Sequence, residues 1–286
     1  MPKVVIVVPI YQEKLTRNMA ISLYQCMRIL NNYPISIVAP EKLKLNGDAW
    51  FQNILEDMPA EWEAIELSRG ISQGQITVEY FPSQYFQSVA AYNRLMLSSF
   101  FYEHFQSYDY ILIHQLDAFV FSDQLLDWCR QGYDYIGAPW LGADWIKEPI
   151  LRVGKVYRWK RRFLRRFFAD PVYYIGNGGF SLRKASAMLR WLSLFPKKAQ
   201  DWQFHEDSFW GIYIRANYPF ARFPTLHKAL EFSFEVQPRQ CYSQNHERLP
   251  FGCHAWWTYD LDFWRPWIEG YGYSLDENVV LGDDIA

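Results

Sequence analysis

The chain is poor in cysteine. Four are spread over 286 residues (Cys26, Cys129, Cys241 and Cys253), and no two form a Cys-x-x-Cys pair. That spacing excludes a disulfide framework or a zinc knuckle and suits free, buried thiols in a reducing compartment. Long hydrophobic runs are missing too. No stretch reaches the ~20 apolar residues of a membrane-crossing helix. Met1-Pro2-Lys3 and the short apolar run after it lack the core and cleavage site of a signal peptide. A cytoplasmic protein is expected. Neither sign of charge dominates: the formal net charge of -2 argues against a general nucleic-acid binder. Ile10–Arg17, just past the first apolar run, holds no glycine, so the glycine-rich phosphate loop of a nucleotidyltransferase is absent there. There is no internal repeat, low-complexity segment or linker, and one domain over 1–286 is expected.

Aromatic residues are abundant, at 19% of the chain with 13 Trp, 20 Tyr and 21 Phe. That exceeds what a core of this size needs. Surplus aromatics at a surface serve flat ligands, sugars, bases or a membrane interface. The apolar pattern predicts α/β structure. Val4–Val8 and Ile35–Ala39 are continuous apolar runs, each stopped by a proline (Pro9 and Pro40), and Thr16–Leu30 between them has helical spacing with Thr16 as N-cap. Strand, helix, strand reads as a βαβ unit and a parallel sheet. Tyr11, just past the first strand, stands where a base could stack or is an ordinary loop aromatic. Asp48–Asp57 reads as a short helix, and Trp62–Leu67 and Ile76–Tyr80 as strands. Ser83–Phe105 carries the strongest helical pattern. Within it, Asn93 and Arg94 either reach a ligand pocket or form a solvated face.

The most informative stretch is Ser107–Phe121. Tyr110–Ile113 reads as a buried strand that runs into His114, Gln115 and Asp117 before apolar residues resume at Ala118–Phe121. A carboxylate there costs several kcal/mol unless paired. Ligands of open α/β sheets bind at the carboxyl ends of strands, so Asp117 has a divalent cation or a nucleotide as its natural partner, or else caps a turn or helix. Asp123–Arg130 follows as a helix and Tyr133–Gly137 as a strand. Lys155–Phe168 interleaves seven basic residues with five aromatics. It suits an anionic membrane surface, a phosphate-covering loop or, least, nucleic acid. After a strand at Tyr173–Ile175, the segment Gly176–Arg183 has three glycines in four positions and lets backbone approach a ligand. Lys184–Leu194 reads as a helix. His205–Gly211 opens an aromatic helix with Glu206 and Asp207, where acids favour the helix dipole. His254 lies among apolar and aromatic residues, a setting commoner for a core histidine than for a ligand.

The order of these features resembles the GT-A glycosyltransferase fold. Ile113–Phe121 looks like its metal-binding strand end. Gly176–Arg183 followed by His205–Gly211 is similar to the Gly-Gly-Phe and Glu-Asp-x-x-x-Gly pair of β-1,3-galactosyltransferase-like families. The strings Q-L-D-A-F-V-F, Y-D-Y-I-G-A-P-W, G-N-G-G-F-S-L-R and F-G-C-H-A-W resemble a bacterial domain family of unknown function. The resemblance implies an α/β, Rossmann-type mixed sheet flanked by helices. Its donor-binding half is about 1–121 and its acceptor-binding, catalytic half about 122–286. It implies an inverting transferase that moves a sugar from a nucleoside-diphosphate sugar to a glycan or lipid-linked acceptor in bacterial surface-polysaccharide synthesis. The site residues it implies are Asp207 as base, kept ionised by the helix dipole, with Glu206 beside it; Pro9, Tyr11, Asn93, Arg94, Gln115 and Asp117 for the donor; Gly178, Gly179, Trp210 and Trp256 for the acceptor; and Asp117 and His254 for Mn²⁺ or Mg²⁺. Gln115 departs from the pattern, because it stands where the first acid of Asp-x-Asp is expected. Either Asp117 and His254 suffice for a cation, or Lys155–Arg166 carries part of the diphosphate charge. The alternative class is a non-catalytic glycan- or lipid-binding module on a degenerate scaffold of this fold. The 155–168 segment would hold a peripheral protein at the cytosolic face of the inner membrane.

Overall fold

The computed structural model describes residues 1–45, 50, 75–141 and 174–275. Its centre is a six-stranded sheet in the order β3-β2-β1-β4-β9-β6, formed by β1 (Val4–Pro9), β2 (Ile35–Pro40), β3 (Ile76–Phe81), β4 (Tyr110–His114), β6 (Tyr135–Ile136) and β9 (Phe180–Lys184). The first four are mutually parallel, as the βαβ pattern predicts; β9 runs antiparallel to both its neighbours, β4 and β6, so the sheet is mixed. Within β1, Val4, Ile6 and Val8 enter the core on one face and Val5 and Val7 the core on the other. Burial on both faces explains why this strand is apolar throughout.

Helix α1 (Arg17–Ile29) packs Met19, Leu23, Cys26 and Met27 on the first face, and the hydroxyl of Thr16 caps it by accepting the Met19 N–H. The opposite face is covered by Val89–Met96, Ser99–His104 and Ala185–Leu194. The single helix expected over Ser83–Phe105 is in fact three pieces: a 3₁₀ turn at Ser83–Phe86 and the two short helices. Ser88 and Ser98 each supply an N-cap to a new start. Ser98 also donates its hydroxyl to the Leu95 carbonyl, which turns the chain between helices. Such local side-chain bonds compete with helix continuation.

A three-stranded sheet, β10-β11-β5, lies at the carboxyl end of β4 and comprises β5 (Phe119–Val120), β10 (Ser233–Phe234) and β11 (Gly252–Cys253). A two-stranded ribbon pairs β7 (Pro139–Trp140) with β8 (Tyr174–Ile175). The helix 48–57, the strand 62–67 and the basic-aromatic segment 155–168 fall outside the described residues. Among the described residues no helix is long and apolar enough to cross a membrane.

Candidate active site

The small sheet assembles the first part of the site. β10 runs parallel to β11 with Phe234 opposite Cys253, and β11 runs antiparallel to β5 with Cys253 opposite Phe119. One step further along each strand come Glu235, His254 and Ala118, with Asp117 just beyond. His254 Nε2 lies 3.1 Å from Asp117 Oδ1 and 3.1 Å from Gln115 Oε1. On the other side of the ring, Nδ1 lies 2.8 Å from Glu235 Oε1. Trp140 Nε1 donates to the second oxygen of Glu235 at 2.9 Å. Burial alone would lower the pKa of His254, but the charges and hydrogen bonds of Asp117 and Glu235 overcome it and raise the value to about 10. Asp117 feels the reverse: burial opposes its ionisation, and His254 still holds its pKa below the usual aspartate value. His114, one residue before Gln115, is fully buried, packs on Phe180 and is pushed down to about 4 by burial, so it is a neutral core residue.

The second part of the site lies where β9 begins. Asn177 adopts a left-handed conformation (φ 71°), locked by its own side chain: Oδ1 accepts the Phe180 N–H and Nδ2 donates to Ser233 Oγ. That turn aims two backbone N–H groups, of Asn177 and Gly178, at Asp207 Oδ2 (3.0 and 3.3 Å). Asp207 Oδ1 is buried with no hydrogen-bond partner. Burial first, then the charges of Glu206 and Glu235, raise the Asp207 pKa to about 7 against the lowering effect of the Ser208 and Asn177 N–H groups. This corrects the expectation that the helix dipole keeps Asp207 ionised. The α-helical stretch it opens is only Glu206–Ser208, continuing as a π-helix over Phe209–Ile214, and desolvation outweighs the dipole there. Glu206 is buried against Arg183 in a two-pronged ion pair, 2.7 Å at its shorter contact.

The two parts meet at Gly178 and Gly179. A Cβ on Gly178 would lie 2.4 Å from Glu206 Oε1; one on Gly179 would lie 2.0 Å from His254 Nε2 and 2.6 Å from Gln115 Oε1. Sequence reasoning gave these glycines to the acceptor. The structure sets Glu206 against Gly178 and sets His254 and Gln115 against Gly179, leaving no room for a Cβ at either.

Other expectations also change. Trp210 and Trp256 have no exposed surface. Trp210 donates to Glu206 Oε2 inside the core and Trp256 to Ser22 of α1, so neither can be a sugar platform. An exposed aromatic near the site is Tyr259, 39% accessible, whose hydroxyl is raised in pKa by burial and then by Glu235 and Asp117. Asn93 does not face the Asp117 cluster: its Oδ1 accepts the Glu206 N–H at 3.2 Å. Arg94 lines a cleft of about 900 Å³ with Gln84, Glu103 and Gln200, and none of the Asp117 cluster borders it. Pro9 ends β1 and is buried; Tyr11 follows it, partly exposed. Sequence reasoning missed Glu235 and Arg183. The signal for Glu235 is faint: it is a carboxylate directly after Phe232-Ser233-Phe234, where β10 is only two residues long.

Three donor atoms of the types a hard divalent cation takes lie close to one another. Asp117 Oδ1 and Gln115 Oε1 each lie 3.1 Å from His254 Nε2, two oxygens about one imidazole, with Glu235 fixing the ring from behind. Among the described residues no group of three or more His, Cys, Asp and Glu side chains is arranged around one point. Here the third donor is an amide.

No curated protein matches this sequence. A galactosyltransferase, LgtC, solved with donor and acceptor sugar analogs, is 12% identical over 96% of this chain and 98% of its own, with a TM-score of 0.52. An active-site mutant of LgtC gives 13% identity over the same shares and a TM-score of 0.50. At such identity the likeness shows the fold, a mixed α/β sheet flanked by helices that matches GT-A glycosyltransferase structures. The DUF5672 family, described as a protein of unknown function, matches residues 75–254, more than half of the chain and a span that runs from β3 through Asp117 and Asp207 to His254; the chain belongs to that family.

Proposed function

We propose that the protein is an inverting glycosyltransferase that moves a sugar, a hexose by preference, from a nucleoside-diphosphate sugar to a glycan or lipid-linked acceptor. One observation carries this reading. A cation-competent cluster at the carboxyl end of β4 and a backbone-cradled carboxylate with a free oxygen are brought together across Gly178-Gly179. The first suits a leaving diphosphate and the second an acceptor hydroxyl.

Asp117, Gln115 and His254 would hold Mn²⁺ or Mg²⁺, which when bound supplies charge to offset the departing diphosphate. Glu235 orients His254. Protonated His254 is the alternative to that cation, because an Nε2 that carries a proton has no lone pair for a metal, and its ring then supplies the positive charge at that place. Asp207 Oδ1 takes the proton of the acceptor hydroxyl as the bond to the anomeric carbon forms. A proton acceptor with a pKa near the working pH is well matched to that task. Pro9, at the end of β1, and Tyr11 just past it border the donor side, and Tyr259 is an aromatic available to a sugar ring. The setting is bacterial surface-polysaccharide assembly on a lipid carrier at the cytosolic face of the inner membrane, with segment 155–168 against anionic lipid.

The second reading is a non-catalytic glycan- or lipid-binding module. The His254–Asp117 ion pair favours it, because it can substitute for a cation. A thermal-shift panel of nucleotide sugars with and without Mn²⁺, followed by a transfer assay, separates the two. A ligand at 100 times its dissociation constant stabilises by ~2.7 kcal/mol. Transfer with an inverted anomeric configuration supports the enzyme; glycan binding with no donor response and no turnover supports the module.

A further inference from the structure

Arg183 lies on β9 with no exposed surface. All of its nitrogens are engaged. Nη2 and Nη1 donate to the two oxygens of Glu206 at 2.7 and 3.1 Å, and Nη1 also donates to the Tyr102 hydroxyl at 2.9 Å. Nε donates to Ser181 Oγ at 3.0 Å, and Nη2 reaches the Gly178 carbonyl at 3.1 Å. Trp210 Nε1 completes the shell of Glu206 at 2.5 Å. A buried ion pair of this kind is weak evidence for stability, since apolar residues of similar volume often replace one without loss. An apolar pair could not grip a peptide group. Gly178 is gripped at both ends: its carbonyl accepts from Arg183 and from the Ser181 hydroxyl, and its N–H donates to Asp207 Oδ2.

We propose that Arg183 is a positioning residue for Asp207: through Glu206 and the Gly178 peptide it ties Oδ2 of Asp207 to backbone and leaves Oδ1 as the oxygen that meets the acceptor. This rests on the reading of Asp207 as the base. The charged and titratable groups that face Asp207 are Glu206 on its own helix, Glu235 after β10, and Tyr135 on β6, which also lies under the guanidinium of Arg183.

The test is the double variant Arg183→Met with Glu206→Leu, which removes both charges together and leaves none unpaired. Its readouts are melting temperature, donor KM, kcat, and the pH midpoint of the Asp207 carboxyl followed by ¹³C NMR. We expect a folded protein with unchanged donor KM, a kcat lowered at least tenfold, and a midpoint displaced to lower pH by a unit or more. A folded double variant with wild-type kcat and a wild-type midpoint would overturn the proposal. If the apolar pair does not fold, Arg183→Lys decides, because it keeps the charge and loses the fork. Lost turnover at unchanged donor KM supports the clamp, and wild-type turnover overturns it. If the wild-type protein transfers no sugar at all, the base role falls, and the Asp207 midpoint of Arg183→Lys, which keeps both charges, decides the clamp: a raised midpoint, from loss of the Gly178 N–H bond, supports it and a wild-type midpoint overturns it.

Discussion

His254 lies directly over Gly179, so close that a methyl group on that glycine would sit 2.0 Å from Nε2. The contact is against a ring held at both nitrogens, so it cannot be relieved by a small side-chain swing. Gly179→Ala therefore has to push His254 away from Gln115 and Asp117 or distort the start of β9. Overpacking of this kind costs about 1–3 kcal/mol. We expect a lower melting temperature and weaker Mn²⁺ binding by electron paramagnetic resonance. An alanine variant with both unchanged would show that the ring has room to move.

Asp117→Asn keeps shape and removes the charge that faces His254. The imidazolium then loses one of its two ion pairs, and any cation loses its one anionic ligand among Gln115, Asp117 and His254. Mn²⁺-dependent donor binding should disappear while the fold persists, with a smaller loss for His254→Ala. Donor binding by the wild type that is indifferent to excess chelator would leave the His254 charge as the phosphate contact.

The sheet was legible where burial made strands uniformly apolar. β1 and β2 end at Pro9 and Pro40 as the sequence predicts, and α1 begins at the Thr16 cap. The site was legible in part, since Asp117 stood out as a charge at the end of an apolar strand. Glu235 and His254 owe their meeting to β10 and β11, two residues each, too short for any period-2 signal. β9 was hidden differently. Its Phe180–Lys184 follows the glycines, where no strand is expected from the sequence, yet pairs on both sides inside the main sheet. Trp210 and Trp256 were misjudged because aromatic surplus says nothing about which aromatics face solvent.

Glu235→Gln should uncouple His254 from its anchor without removing a hydrogen-bond acceptor. The native His254 pKa, about 10, lies above its ordinary 6.5. The stabilisation it contributes is therefore fully present below pH 6.5 and lost as pH rises through about 10. With the Glu235 charge gone the native value falls, and the loss moves to lower pH. Hydrogen bonds to charged groups contribute about 1.5–3 kcal/mol. The expected result is a lower His254 midpoint by NMR and a urea midpoint that drops less between pH 7 and pH 9 than in wild type, because less of this stabilisation is there to lose. Identical profiles would mean that Asp117 alone sets the charge.

Asp207 should impose opposite pH trends on stability and on turnover. Its native pKa is about 7 against an ordinary 3.8, so the folded protein holds a proton that the unfolded chain releases. Stability from this group therefore falls as pH rises from about 4 to about 7. Turnover needs the ionised form and should climb tenfold per pH unit up to a midpoint near 7, then level. Asp207→Asn cannot ionise. It should lose 10²–10⁴-fold in kcat, about 3–5 kcal/mol of barrier. Its amide oxygen can still accept the Asn177 and Gly178 N–H groups, so its stability at pH 8 should equal or exceed wild type. The pH-rate limb and the pH-dependent part of stability should vanish together in this variant. A variant that keeps the limb would assign it to another group, and one that turns over at the wild-type rate would remove Asp207 as the base.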